Sequence, residues 1–420
     1  MDPAHAEDIT RGARKAVEIL QGCGAEAELV DTPGYPVVFG QLQRDPAYPT
    51  VAIYNHMDVQ PADEPEWERD PFVFHREAER YLGRGTTDDK GPALSALLAA
   101  RFAVEHDLPI NIQFIWELEE EIGSPNFAHF VKRHRKALTC DSVLVSDTVW
   151  LSRSKPAVPY GLRGMMTLLL RLETGRKDCH SGLTGGAARN PVGELASLIA
   201  RCYDAHTGRV KIKGFYDAVR RSSPDELENF LSSGFSLAAF KKAHGLKKLR
   251  TSDVRETVQA IWSRPTFEVH GISGGYQGPG IKTVVPAAAE AKISMRLVPD
   301  QDPAKVFALV RDFVKQHNPD VKVIRGGGLQ PYLGPFSGPY AEAVREAMRF
   351  GFGKTPSFIR EGGSIGSVVT FDQLLKVPVM FLGLSLPEHG YHAPNENFDW
   401  GQASGGMRAF LKYFETLAGL

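Results

Sequence analysis

Cysteine is scarce in this chain: Cys23, Cys140, Cys179 and Cys202 are the only four among 420 residues. They show neither paired metal-ligand spacing nor a disulfide framework, which excludes a cysteine-built staple and points to a reducing cytoplasm. Net charge is also lacking. Lys and Arg number 49 against 50 Asp and Glu, a balance of −1 that gives no electrostatic reason to expect a nucleic-acid partner. The one basic cluster, Lys241 to Arg250, reads as a solvated helix face. No apolar run approaches the roughly 20 residues needed to cross a bilayer. The opening MDPAHAEDIT has neither the basic nor the apolar region of a secretion signal, so no membrane partner and no export route are expected. Internal repeats and low-complexity segments are absent as well. What remains is 42% hydrophobic residues over 420 positions, enough for a large core divided between two domains.

Within that apolar content, several short runs end in acids or histidines. Val51 to Asn55 runs into His56, Met57 and Asp58; side chains alternate along a strand, so His56 and Asp58 face the same way. A ligand histidine commonly gives its other ring N–H to a carboxylate, and Asp58 stands where that partner is needed. Gly83 to Pro92, GRGTTDDKGP, precedes a buried helical pattern. Adjacent Asp88 and Asp89 repel each other unless a cation compensates them, although acids at a helix N-terminus are an equally good reading of this segment alone. Ile110 to Trp116 reads as a strand running into Glu117, Glu119, Glu120 and Glu121, then Gly123-Ser124-Pro125. A strand-to-helix turn there would lie where open α/β sheets gather ligands. Ser142 to Val145 repeats the layout before Asp147, and Val377 to Leu382 leads to His389 and His392. His56, Asp88, Glu121, Asp147 and His392 are therefore candidates for a single site at one sheet edge.

The stretches HMDVQPADEPEW, GRGTTDDKGP, ELEEEIGS, LVSDTVW, GLRG, DCHSGLTGG, GPGIKTVVPA, SMRLVPD, REGGSIGSV and HAPNENF follow one another from about residue 51 to 400. In this order they resemble the co-catalytic dinuclear metallopeptidases, which include carnosinase-type dipeptidases, glutamate carboxypeptidases, aminoacylases and succinyl-diaminopimelate desuccinylases. Val59-Gln60-Pro61 and Trp67 with Pro71-Phe72 are most similar to the cytosolic nonspecific dipeptidase branch. The resemblance implies two divalent metal ions, zinc or alternatively manganese or cobalt, since histidine and carboxylate donors suit all three. It implies His56 and Asp147 on one metal, Glu121 and His392 on the other, Asp88 bridging, and a cis Asp88–Asp89 peptide bond. Asp58 would orient His56. Glu120 would be the general base for a metal-bridged hydroxide that attacks an amide next to a free carboxylate.

The resemblance further implies a homodimer in which His180 reaches the neighbouring subunit's site as an oxyanion donor, whereas read alone His180 is a loop histidine. Thr283, Arg296, Gly363 and Ser364 match positions that hold the substrate's C-terminal carboxylate; Arg296 could equally be a salt-bridged edge residue. Many relatives carry Asp-His-Pro where this chain has Ser337-Gly338-Pro339, so one substrate-binding histidine is missing.

The implied fold class is α/β: a catalytic domain with a mostly parallel sheet flanked by helices, interrupted by an inserted α+β lid and dimerisation domain. The expected division is 1–162, 163–327 and 328–420. Residues 203–263 are longer and more charged than a lid requires, with a helix start at Ser223-Pro224 and a stop at Gly234. Four other functions compete. A glutamate-type carboxypeptidase or an N-acyl-amino-acid deacylase would use the same metals. A serine hydrolase would use Ser364 in Gly362-Gly363-Ser364-Ile365-Gly366, with His389 or His392 as base. A non-catalytic peptide-binding protein would not need Glu120.

Overall fold

Thr50–His56 and Asn111–Glu117 carry apolar residues on both faces because they become central strands covered on both sides, buried from end to end. In the computed structural model, which describes residues 5–420, they lie side by side in a six-stranded sheet. Its spatial order is Glu26–Val30, Val37–Leu42, Asn111–Glu117, Thr50–His56, Ser142–Val145, Val379–Phe381. The last four strands run parallel, and the first two form an antiparallel edge. Register pairs His56 with Glu117, and Val145 with Phe381, so the parallel strands end together along one edge. Helices Gly91–Glu105, Pro339–Phe352 and Trp400–Ala418 pack into a layer against this sheet. A Cβ on Gly351 would lie 2.4 Å from the Gly405 carbonyl oxygen and one on Gly405 would lie 2.2 Å from the Phe352 ring, so two of these helices approach as closely as they do only because both positions are glycine.

A second core lies in the middle of the chain. Its antiparallel sheet has the order Glu268–Gly274, Ala288–Leu297, Gly164–Glu173, Lys322–Leu329. Alternate residues of Gly164–Glu173 are buried, the pattern of a sheet covered on one face. Helices Pro191–Cys202 and Pro303–His317 provide the cover, bringing Leu195, Leu198, Val306 and Val310 against Leu168 and Leu170. After the strand Ala157–Leu162 the chain enters the second core, and the strand Tyr332–Leu333 pairs back onto Ala157–Leu162.

Residues 203–263 divide between the two cores: Val210, Ile212 and Phe215 join the second, Phe230, Val258 and Trp262 the first. Ser223 accepts the Glu226 N–H at 3.1 Å and caps the helix Pro224–Ser232, with Pro224 in its first turn. That helix delivers Glu226 to a buried ion pair, 2.5 Å from Arg360, which Tyr160 joins by a hydrogen bond. Part of this charged segment thus braces Ser357–Glu361, the strand that leads to Gly363 and Ser364. Among the described residues no helix is long and apolar enough to cross a membrane.

Candidate metal centre

His56 ends its strand with Nε2 2.9 Å from Asp88 Oδ1 and 3.9 Å from Asp147 Oδ2. The other oxygen of Asp88 lies 2.9 Å from His392 Nε2, which in turn is 3.3 Å from Glu121 Oε2. Two donor groups result, His56–Asp88–Asp147 and Asp88–Glu121–His392, each with its donor atoms within 4.8 Å of one another. Asp88 belongs to both. The Asp88–Asp89 peptide bond is cis. Four of the five side chains are buried, and His392 is half-exposed at the mouth.

The Nδ1 atom of His56 faces Asp58 twice, at 3.0 Å from its carbonyl oxygen and 3.5 Å from Oδ1. The shorter contact is the better hydrogen bond, so the backbone of Asp58 does most to orient the imidazole. The Asp58 carboxylate has a second task, accepting the N–H groups of Glu120 at 3.2 Å and Glu121 at 3.0 Å. It thereby pins the acidic turn beside the end of the His56 strand. Gln60 donates to Glu121 Oε2 at 2.6 Å, while Glu121 Oε1 is buried without a hydrogen-bond partner.

Burial, and then the charge of Asp147, push the Glu120 carboxyl well above its ordinary range. Burial also raises Asp147, to about 6, against the pull of His56. Asp88 moves the other way: burial works against its charged form, but the hydrogen bonds of His392 and His56 outweigh it. His392 rises to about 10, because Asp88 and Glu121 overcome its burial. So much buried negative charge is costly unless cations compensate it. Carboxylate and imidazole donors, arranged as two groups around a common Asp88 and with an unpartnered Glu121 oxygen, fit a divalent cation in each group.

Several supporting residues had no role in the metal-site reading of the sequence. Glu396 is fully buried and accepts the N–H groups of Gly85 at 3.0 Å, Thr87 at 2.9 Å and Asp88 at 3.1 Å, with Arg84 at 2.9 Å. It holds the loop that presents Asp88. His389 faces Thr87 Oγ1 at 3.0 Å and Asp399 Oδ2 at 2.9 Å, bracing the same loop. The signal for both was their place in the polar stretch around His392. Arg163, from the GLRG stretch, bonds the carbonyls of Gly362 and Ala260. Burial and then the neighbouring Arg296 charge lower it to about 10.

The other sequence candidates form two further groups. Arg296 Nη1 donates to Ser364 Oγ at 3.0 Å, and Arg163 N–H donates to the Gly363 carbonyl at 3.1 Å, so Arg296, from the strand Ala288–Leu297, reaches the loop that carries Gly363 and Ser364. That loop adjoins the acidic turn: a Cβ on Gly366 would lie 2.8 Å from the Gly123 carbonyl oxygen. His180 and Thr283 lie elsewhere, on the two-stranded ribbon Cys179–His180 with Val284–Val285 and beside it. Ser181 N–H donates to Thr283 O at 3.0 Å, and His180 is exposed, its Nδ1 accepting from Gly182 N–H at 3.0 Å. Among the described residues no histidine nitrogen bonds Ser364, and His389 and His392 are occupied elsewhere. The serine-hydrolase reading lacks its base. At Ser337-Gly338-Pro339, Gly338 takes φ 93 and ψ 177, a region essentially restricted to glycine, so a histidine would be strained on this backbone even though a Cβ there meets nothing within 4 Å.

The model for peptidase family M20/M25/M40 matches residues 52–416. A Cys-Gly metallodipeptidase of Schizosaccharomyces pombe is 34% identical over 402 residues, covering 92% of this chain and 84% of that protein. Human β-Ala-His dipeptidase is 30% identical, covering 100% and 87%. Among solved structures, an M20 family metallo-carboxypeptidase from Sulfolobus solfataricus superimposes with a TM-score of 0.92 at 31% identity, covering 98% of this chain and 95% of that one.

Proposed function

Because the chain belongs to peptidase family M20/M25/M40 and is a metallopeptidase, we propose that it is a dinuclear dipeptidase for short peptides with a free C-terminal carboxylate. The observation that carries this reading is the pair of donor groups sharing Asp88, with Glu120 beside them and in neither. Zinc, manganese or cobalt supplies Lewis acidity at such a pair, polarising the scissile carbonyl and acidifying water. His56, Asp147 and Asp88 hold one ion; Glu121, His392 and Asp88 hold the other. Glu120 takes the proton of the attacking water and returns it to the leaving amine. Arg296 and Ser364, with Gly363, hold the substrate's carboxylate, which suits a guanidinium's planar donors, and Thr283, placed beside His180 and apart from them, joins from a second copy.

In this reading residues 163–327 form the lid and dimerisation unit, apart from the stretch around Glu226 to Trp262 that packs on the first core. The exposed setting of His180, away from every ligand of its own chain, supports delivery of the imidazole to the site of a second copy in a homodimer. The unpaired Cys23, Cys140, Cys179 and Cys202 support a cytoplasmic location.

Two experiments test this function. A metal-loaded screen should find dipeptides cleaved well ahead of longer peptides, C-terminal glutamyl peptides and N-acyl amino acids, with activity abolished by chelation and restored by metal. Cleavage of acyl amino acids alone would sink the dipeptidase assignment, and activity indifferent to chelator would sink the metal mechanism. Mixing His180→Ala with Glu120→Ala subunits should recover activity through hybrids that contain one intact site. Hybrids as inactive as both parents would place His180 in its own chain's site, or make the protein a monomer.

A further inference from the structure

Tyr391 touches both halves of the metal centre. Its hydroxyl donates to Asp147 Oδ1, which leaves Oδ2 as the oxygen turned toward His56. Its ring lies against the next side chain, His392, with centroids 4.9 Å apart and planes 26° from parallel. Asp147 belongs to one donor group and His392 to the other. The stack has a particular use here, because His392 sits at φ 55, in the left-handed region where a non-glycine residue is held only by its surroundings, and its side chain is half-exposed.

We propose that Tyr391 is a positioning residue for both metals, its hydroxyl selecting which Asp147 oxygen ligates and its ring fixing the His392 imidazole. This inference rests on the dinuclear reading above. A carboxylate with one oxygen tied by a hydrogen bond presents a single donor at a set angle. A half-exposed imidazole loses less rotamer freedom on binding metal if a ring already confines it. The two contacts are separable by substitution: Tyr391→Phe keeps the ring and loses the hydroxyl, whereas Tyr391→Leu loses both.

Metal affinity, read by chelator competition and by the visible spectrum of bound Co(II), tests this without reference to turnover. Removing His392 isolates the His56 site, and removing His56 isolates the His392 site. In the His392→Ala background, Tyr391→Phe should weaken Co(II) binding about 10- to 100-fold and shift the ligand-field bands. In the His56→Ala background Tyr391→Phe should be silent, while Tyr391→Leu should weaken binding. Unchanged affinity and spectrum for Tyr391→Phe in the His392→Ala background would overturn the hydroxyl's role. A silent Tyr391→Leu in the His56→Ala background would overturn the ring's. Uptake of fewer than two metals by the unaltered chain would instead overturn the dinuclear reading, a result distinct from either.

Discussion

Glu120→Gln is expected to bind two metals as tightly as the unaltered chain and to lose turnover about 10²- to 10⁴-fold, the usual worth of a positioned general base. The expectation follows from where Glu120 sits. It belongs to neither donor group, yet its backbone is pinned by Asp58 at 3.2 Å, so the amide replacement leaves the turn and its ligand neighbour Glu121 in place. Burial and the Asp147 charge hold the Glu120 carboxyl well above its ordinary range, the direction a proton acceptor working near neutrality requires. A cation in the His56 group would pull that value down again, so Glu120 is tuned by the loaded site rather than by burial alone. The check is metal content beside kcat on one dipeptide. Normal kcat with two metals bound would remove Glu120 from the chemistry, and loss of metal would recast it as a ligand.

How far the sequence disclosed this site depended on whether each residue acts through its own strand or through distant ones. His56 and Asp147 were legible because each follows a run buried on both faces, and such runs have few alternative readings. The shared edge followed from the mostly parallel sheet that the family resemblance implies. Asp58 was legible as a neighbour of His56 by alternation, but its carboxylate's hold on Glu120 and Glu121 spans more than sixty residues and leaves no local trace. Tyr391 was hidden for the same reason, since its partner Asp147 is 244 positions away. Residues 203–263 resisted assignment because their charge pattern describes a surface, whereas Phe230, Trp262 and the buried Glu226 face a strand formed a hundred residues later. The catalytic edge was written in strand periodicity; its supports lie in pairings that only the folded chain brings together.

Glu396→Ala should be the most destabilising substitution near the site, by roughly 3–5 kcal/mol, because it breaks a buried ion pair from one side. Arg84 would keep a buried charge whose partner at 2.9 Å is gone, and the N–H groups of Gly85, Thr87 and Asp88 would lose their acceptor. Burial raises the Glu396 carboxyl above its ordinary value in spite of these donors, so the assembled pair is no large net gain; the cost lies in dismantling half of it. Asp88 sits in both donor groups, so a loosened loop should weaken both metals together, in contrast to the site-selective loss expected at Tyr391. Urea unfolding of the metal-free protein measures the first effect and chelator competition the second. Metal-free stability equal to that of the unaltered chain would show that water replaces the carboxylate. Full stability with weakened metals would leave Glu396 a support of Asp88 alone. The expected result, both losses at once, follows from one carboxylate holding the backbone of the loop and, through it, the residue the two donor groups share.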